Sequence, residues 1–279
     1  MTAIAPAATT ARRTSALAVA SPLATLARRR LQLTARTPRE LLVPLITPIL
    51  FALVIAPALK TALHTSSAYE AFVATGTIGL LIPLNTMFSG LSVIVDRESG
   101  AQRELLAAPV PRPLLMLGNL AVALAVTALQ VTVLIAVALA RGIDFHAIAT
   151  GVVWFAAAAT LFAIGMYGVA ETLAARVPKA EEFIARVPAI AIVPWFLAGS
   201  LFPISALPGF LEWFARFLPL THGLALVRYG LLGDSSGLHA IWRMGDPTAM
   251  AALSLGVVAL FAVALTRVSI RAFTRSAVR

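Results

Sequence analysis

The chain has 279 residues, of which 59% are hydrophobic and only 12% are charged, and its mean hydropathy is +0.90. A soluble domain of this length could not bury so much apolar surface, so the composition predicts an integral membrane protein. The formal net charge of +10 comes mostly from arginines between apolar runs, which indicates membrane topology and anionic lipid rather than nucleic-acid binding. Because the chain contains no cysteine, disulfides, thiol nucleophiles and metal sites with cysteine ligands are excluded.

The N-terminal segment is basic and precedes the first long apolar run. Residues 1–21 are predicted to be a disordered tail; their arginine pair is similar to the start of a twin-arginine export signal, but Pro22 interrupts the following apolar run too early. Residues 22–40 are predicted to form an amphipathic helix on the cytoplasmic membrane surface, because Leu23 and Leu26 begin an apolar stripe at helical spacing. A disordered basic arm that only fixes topology is the alternative.

Long stretches without Asp, Glu, Lys or Arg predict six transmembrane helices, because each is long enough to cross about 30 Å of hydrocarbon. The stretches cover residues 41–59, 71–95, 113–140, 145–170, 187–211 and 247–266. They define an all-α, six-helix transmembrane domain over residues 41–267, and residues 268–279 are predicted to be a basic cytoplasmic tail.

The arginines and lysines predict the orientation of these spans. The N-terminal segment, the second-to-third loop, the fourth-to-fifth loop and the tail hold 17 of them, whereas the other loops hold 5. The positive-inside rule therefore predicts that both termini are cytoplasmic. Abundant Ala, and Arg in place of Lys, are typical of a GC-rich bacterium, so the predicted location is a bacterial inner membrane.

The spans contain no ionisable residue of the kind that proton or sodium coupling needs, since Glu70 and Glu171 lie at span edges where water is expected to solvate them. Neither lysine follows a glycine, so the chain has no P-loop for ATP. No catalytic residue or metal ligand is predicted, because the histidines are scattered without metal-ligand spacing at His64, His146, His222 and His239. A channel, a scaffold or a permease driven by a separate ATPase remain.

The connection between the second and third spans, residues 96–112, combines dense charge of both signs with an apolar pair, Leu105 and Leu106. A short helix of this kind suits the groove of a soluble partner, which could then move the two attached spans. A polar turn without a partner is the structural alternative.

This connection resembles the coupling region of type-2 ATP-binding-cassette (ABC) exporter permeases at Arg97, Glu98, Gly100, Leu105, Leu106, Pro109 and Arg112. The resemblance extends to residues 196–209, to the Pro-Leu-Thr-His sequence at 219–222 and to Arg228, and it is closest to the daunorubicin-resistance subgroup. It implies two permeases, identical or paralogous, two cytoplasmic ATPase subunits that bind ATP and magnesium, no cofactor on this chain, and export of an amphipathic drug or lipid. ATPase coupling is then assigned to Arg97, Glu98, Gly100, Arg103, Glu104, Leu105 and Leu106. Export of a polysaccharide or glycolipid is the alternative within the family.

The fifth span is predicted to break near Pro203 and Pro208, and the aromatic segment after it, residues 207–230, is predicted to re-enter the outer leaflet. Trp213 and Arg228 are its candidate site residues. Glu212 and Arg216 have the spacing of a helical ion pair.

Six side chains within the spans are candidates to line a pathway or a protein interface, with helix packing as the structural alternative for each. They are Asn85, Thr86, Phe88, Trp195, Phe196 and Ser200.

Overall fold

A computed structural model describes residues 16–36, 42, 45–46, 49–62, 64, 67–107 and 112–276. The first helix, α1 (Ala16–Arg36), contains most of the predicted amphipathic segment but begins before it, because the Ala- and Leu-rich residues that precede Pro22 favour a helix. Residues 1–15 and the last three residues of the basic tail lie outside the described ranges.

The other described helices follow in chain order. They are α2 (Ala56–Ala62) after a π-helical turn (Phe51–Ile55), α3 (Ser67–Ser89), α4 (Leu91–Glu98), α5 (Ala101–Ala107), α6 (Arg112–Ala140), α7 (Ala149–Ala174), α8 (Ala180–Leu197), a 3₁₀ turn (Ile204–Ala206), α9 (Gly209–Ala215), α10 (Pro219–Leu232), α11 (Ser236–Trp242) and α12 (Pro247–Ser276).

Four helical units in the described part of the chain are long and apolar enough to cross a membrane: α3 with α4, then α6, α7 and α12. They coincide with the predicted second, third, fourth and sixth spans, so the helical membrane architecture is confirmed at that level. The predicted first span lies partly outside the described residues. Its described remainder is residues 42, 45–46 and 49–50, the π-helical turn and the start of α2.

The predicted fifth span differs from the helix that forms there. The charge-free stretch 187–211 predicts a span that begins at residue 187 and breaks near Pro203 and Pro208, but α8 begins at Ala180 and ends at Leu197. Its first turn includes Glu181 and Glu182. Gly199 follows the helix with a φ of +81°, a left-handed conformation that residues other than glycine adopt only at a cost. The helix therefore ends before it reaches Pro203 or Pro208.

Helix α7 lies at the centre of the bundle and packs against α12, α10 and α3. Its glycines let the neighbouring backbones approach closely: a Cβ built on Gly168 would lie 2.8 Å from the Leu265 carbonyl carbon of α12. Near the start of α7, a Cβ built on Gly151 would lie 2.4 Å from the Gly230 carbonyl oxygen of α10. Helices in membranes associate through such small-residue contacts, because lipid supplies no hydrophobic force between them.

The bundle has two ends with different contents. One end, called the basic end, contains α1, which packs beside the start of α6. It also contains the α4–α5 connection and residues 175–179, which connect α7 to α8. At the other, called the far end, lie α9, α11 and residues 141–148. Lys60 Nζ lies 3.2 Å from Glu70 Oε2 there, and Arg141 Nη2 lies 4.0 Å from Glu70 Oε1.

Helix α10 begins beside the middle of α7 and runs back toward the start of α7. A Cβ on Gly223 would lie 3.9 Å from the Phe162 ring, whereas one on Gly230 would lie 2.5 Å from the Gly151 carbonyl oxygen. Phe162 is roughly 16 Å further along α7 than Gly151 at 1.5 Å per residue. Helix α10 therefore starts at mid-depth of the bundle and returns to the far end, and the re-entrant segment stays a prediction.

We expect Gly168→Val to destabilise the bundle by about 1–3 kcal/mol, because the added side chain overlaps the α12 backbone. Gly256→Val on α12 is the matched control, since a Cβ there meets nothing within 4 Å. Thermal unfolding of the two purified variants measures the difference. Equal melting temperatures would contradict the close α7–α12 contact.

Candidate functional site

At the basic end, Arg97 ties the α4–α5 connection to the end of α7. The buried residues Val93 and Ile94 fix α4 against the core, one turn before Arg97. Arg97 Nη1 donates to the Ala174 carbonyl oxygen at 3.0 Å, and Nη2 donates to the Val177 carbonyl oxygen at 2.6 Å. These carbonyls lie where a helix end leaves acceptors unpaired and carries partial negative charge, so a guanidinium suits the position.

The rest of the predicted coupling segment forms a turn and a short helix. Gly100 has a φ of +79°, and a Cβ there would meet nothing within 4 Å, so glycine is needed for the turn and not for space. Glu98 and Glu104 are exposed, and Leu105 is half-buried. Arg103 and Leu106 belong to α5, but their side chains lie outside the described part of the structure, as does Pro109.

Polar groups beneath this segment connect it to α1 and α7. Arg30 Nη1 of α1 lies 3.5 Å from Asp96 Oδ2 of α4. A cavity of about 30 Å³, lined by Asp96, Leu105 and Glu171 among others, lies below the connection. The expectation that water solvates Glu171 is wrong: the residue is only 2% exposed, and the Tyr167 hydroxyl one turn earlier donates to its carboxylate.

At the far end, two sets of candidates that the sequence treats separately come together. The Trp195 indole nitrogen donates to the Gly76 carbonyl oxygen at 2.7 Å, and Ser200 Oγ donates to the Trp195 carbonyl oxygen at 2.6 Å. Arg228 Nη2 donates to the Ser200 carbonyl oxygen at 3.1 Å. The chain after α8 is therefore joined to both α3 and α10.

Arg228 is only 5% exposed, and its side chain lies against α3. Its Nε donates to Thr75 Oγ1 at 3.3 Å, Nη2 also donates to the Phe72 carbonyl oxygen at 3.4 Å, and its guanidinium carbon lies 3.5 Å from the Phe72 ring centroid. The sequence does not single out Thr75 or Phe72. The one sequence pattern that relates Phe72 to Thr75 is their spacing, because residues three apart lie on the same face of a helix.

The remaining candidates have ordinary structural positions. Asn85 is 7% exposed and neither of its amide atoms has a hydrogen-bond partner among the described residues, whereas Thr86 Oγ1 donates to the Ile82 carbonyl oxygen of its own helix. Phe88 is half-buried and Phe196 is exposed. Pro203 and Pro208 directly precede the 3₁₀ turn and α9.

Helix α9 carries an exposed aromatic face. Phe210 is 74% exposed, Trp213 is 64% exposed, and the rings of Trp213 and Phe217 meet edge to face at 4.8 Å. The predicted ion pair between Glu212 and Arg216 is confirmed. Exposed aromatic side chains beside a charged pair are typical of a segment at a membrane–water boundary.

Comparison with known protein families gives a match over most of the chain. The family model described as ABC-2 type transporter matches residues 22–232, about three quarters of the chain. No curated protein matches. In the described part of the chain no group of three His, Cys, Asp or Glu side chains is arranged to hold a metal ion.

We expect Arg97→Gln to lower the free energy of unfolding by roughly 1.5–3 kcal/mol, the usual contribution of a hydrogen bond to a charged group. The neighbouring Arg176→Gln is the control, because Arg176 is exposed and its change should stay within about 0.5 kcal/mol. Chemical or thermal unfolding of the purified variants measures both. A loss as small as that of the control would show that Arg97 does not hold the α7 end.

Proposed function

Since the chain belongs to the ABC-2 type transporter family, we propose that it is the membrane permease of an ATP-driven exporter whose ATPase is a separate cytoplasmic protein. The chain spans a membrane several times and contains no P-loop sequence, and in this proposal a separate chain supplies the energy for transport. The observation that carries this proposal is the set of Arg97 hydrogen bonds, which joins the α4–α5 connection to the central helix α7.

The ATPase binds the basic end in this proposal, at the segment 96–112. Exposed Glu98 and Glu104 offer charge to a partner, and half-buried Leu105 offers apolar contact. A short helix with this composition suits a groove on a soluble protein. ATP and magnesium bind the ATPase subunits, of which two copies are proposed, and this chain holds neither.

Movement of the coupling segment reaches the bundle by two routes. Arg97 passes it to the carboxyl end of α7, which packs against α10 and α12. Asp96 passes it to α1 through Arg30, and α1 in turn contacts α6, where Leu26 Cβ lies 3.0 Å from a Cβ built on Gly118. ATP binding would then favour one of two arrangements of these packed helices.

The basic end faces the cytoplasm in this proposal, with both termini on that side of a bacterial inner membrane. The concentration of arginine and lysine in α1, the coupling segment, residues 175–186 and the tail supports this orientation. The far end then faces outward, with α9 and α10 as the re-entrant segment, and the complete chain has six spans.

The proposed cargo is an amphipathic drug or lipid, by resemblance to the daunorubicin-resistance subgroup. Two permeases, identical or paralogous, form the exporter. Lipid or the second permease covers the apolar side chains that a single chain leaves exposed, such as Leu129 at 57% and Leu260 at 70%.

We expect the double variant Glu98→Arg with Arg103→Glu to lose at least about 90% of the copurifying ATPase, because it exchanges the charges of the docking segment while the net charge is unchanged. The variant should still insert in the membrane. Affinity purification of the tagged chain followed by a measurement of bound ATPase tests this expectation.

Glu212→Arg with Arg216→Glu is the matched control, because it reverses an ion pair at the far end. This control should retain the ATPase. Equal retention by both double variants would contradict the assignment of the coupling segment.

A further inference from the structure

A second, larger cavity lies at the far end, between α3, the turn after α8, α10 and α11. Its volume is about 220 Å³. Exposed residues, among them Pro203, Ser205 and Ser236, form its rim, whereas buried Thr221 and Arg228 line its interior. The cavity is therefore accessible at one side and polar at its base.

Three consecutive positions on one face of α10 build the base of this cavity. Thr221, Ala225 and Arg228 follow each other at helical spacings of four and three, and all three line the cavity. Thr221 is 3% exposed, and its hydroxyl oxygen has no hydrogen-bond partner among the described residues. A buried hydroxyl without a partner is unfavourable, so a ligand that accepts a hydrogen bond from it would be stabilised.

Arg228 supplies a positive charge that no acidic residue balances by direct contact. Its hydrogen bonds to Thr75, Phe72 and Ser200 involve Nε and Nη2, and no described residue accepts a hydrogen bond from Nη1. None of the ion pairs in the described residues includes Arg228. Asp234, on the loop after α10, attracts Arg228 without contacting it, and its carboxylate accepts hydrogen bonds from the Ser236 amide and hydroxyl.

A purely structural role explains only part of this arrangement. The contacts with α3 and Ser200 hold the guanidinium in place, and a packing role needs no more than that. It does not explain why a cavity of this size adjoins the buried charge, or why an unpartnered hydroxyl lies two turns away on the same helix face. A preorganised cation and a hydroxyl donor that line the same cavity can both donate hydrogen bonds to phosphate or carboxylate oxygens.

We propose that this cavity binds the anionic head group, a phosphate or a carboxylate, of an amphiphile. The surroundings favour an amphiphile over a free anion, because Phe202, which is 38% exposed, is next to the rim residue Pro203 in the chain, and the cavity lining also includes the apolar residues Ala198 and Ile204. The inference rests on the proposed export function, for which it specifies the head group of the cargo.

Binding to the purified full-length chain tests the inference without any ATPase or nucleotide. The probes are dioleoyl phosphatidylglycerol, dioleoylglycerol with the same acyl chains but no phosphate, and inorganic phosphate. We expect native mass spectrometry to show at least about tenfold tighter binding of the anionic lipid than of the neutral one. Inorganic phosphate should compete poorly; complete displacement at equal concentration would show a free-anion site and overturn the assignment to an amphiphile.

Three variants remove the binding by different means. Arg228→Gln removes the charge, Thr221→Val removes the hydroxyl at nearly constant volume, and Ala240→Leu fills the cavity without touching the hydrogen bonds of Arg228. Each should weaken phosphatidylglycerol binding at least about threefold, and Arg228→Gln at least about tenfold. Arg243→Gln is the control, because Arg243 is a far-end arginine with a side chain that is 72% exposed.

Wild-type affinity in both Thr221→Val and Ala240→Leu would overturn the inference even if Arg228→Gln failed to fold. The outcome is also separable from that of the proposed function. A chain that binds phosphatidylglycerol but no ATPase would contradict only the export proposal. A chain that binds the ATPase but does not prefer the anionic lipid would contradict only the head-group site.

Discussion

The hydrogen bonds of Arg97 to the end of α7 are the contacts on which the account of this molecule depends. A helix in a membrane satisfies its backbone internally, except for the first amides at its N-terminus and the last carbonyls at its C-terminus. Arg97 reaches three such acceptors across 77 to 81 residues of sequence and so joins two connections on the same side of the bundle. Because α7 contacts α3, α10 and α12, Arg97 is linked through this one helix to most of the described bundle.

The two arginines at opposite ends of the bundle have different surroundings. Arg97 is half-exposed and lies among carbonyls at a helix end, where water can share the solvation of its charge. Arg228 is buried between α3 and α10, where carbonyl oxygens, a hydroxyl and an aromatic face replace water. A buried charge of this kind is costly unless the protein or a ligand solvates it well. The proposed anionic ligand of the far-end cavity would add to that solvation.

Charge-free runs predicted α3 with α4, α6, α7 and α12 well, because the absence of charge over a long helix follows directly from the cost of placing it in hydrocarbon. The same rule misplaced the fifth helix. A loop at the membrane boundary can also lack charge, so the run extended past Gly199, where the backbone actually turns. The Glu212–Arg216 pair was predictable because it is local to one helix.

Contacts between distant segments were not predictable from spacing. The acceptors of Arg97 are backbone carbonyls, which any residue provides, so no side-chain pattern marks them. Glu171 looked like a solvated residue at a span edge, and its burial depends on Tyr167 and on the helices packed around it. The sequence named Arg228 through a motif, but the cavity beside it and the unpartnered Thr221 hydroxyl exist only in the folded chain.

The chain has no P-loop, and the six predicted spans contain no Asp, Glu, Lys or Arg, so we infer that transport requires a separate ATPase. The most direct measurement is movement of a fluorescent amphiphile across proteoliposomes that contain this chain, with and without the ATPase that copurifies with it. The account predicts movement only when the ATPase and hydrolysable ATP are both present. Equal movement by the chain alone, without nucleotide, would contradict it and identify a passive channel.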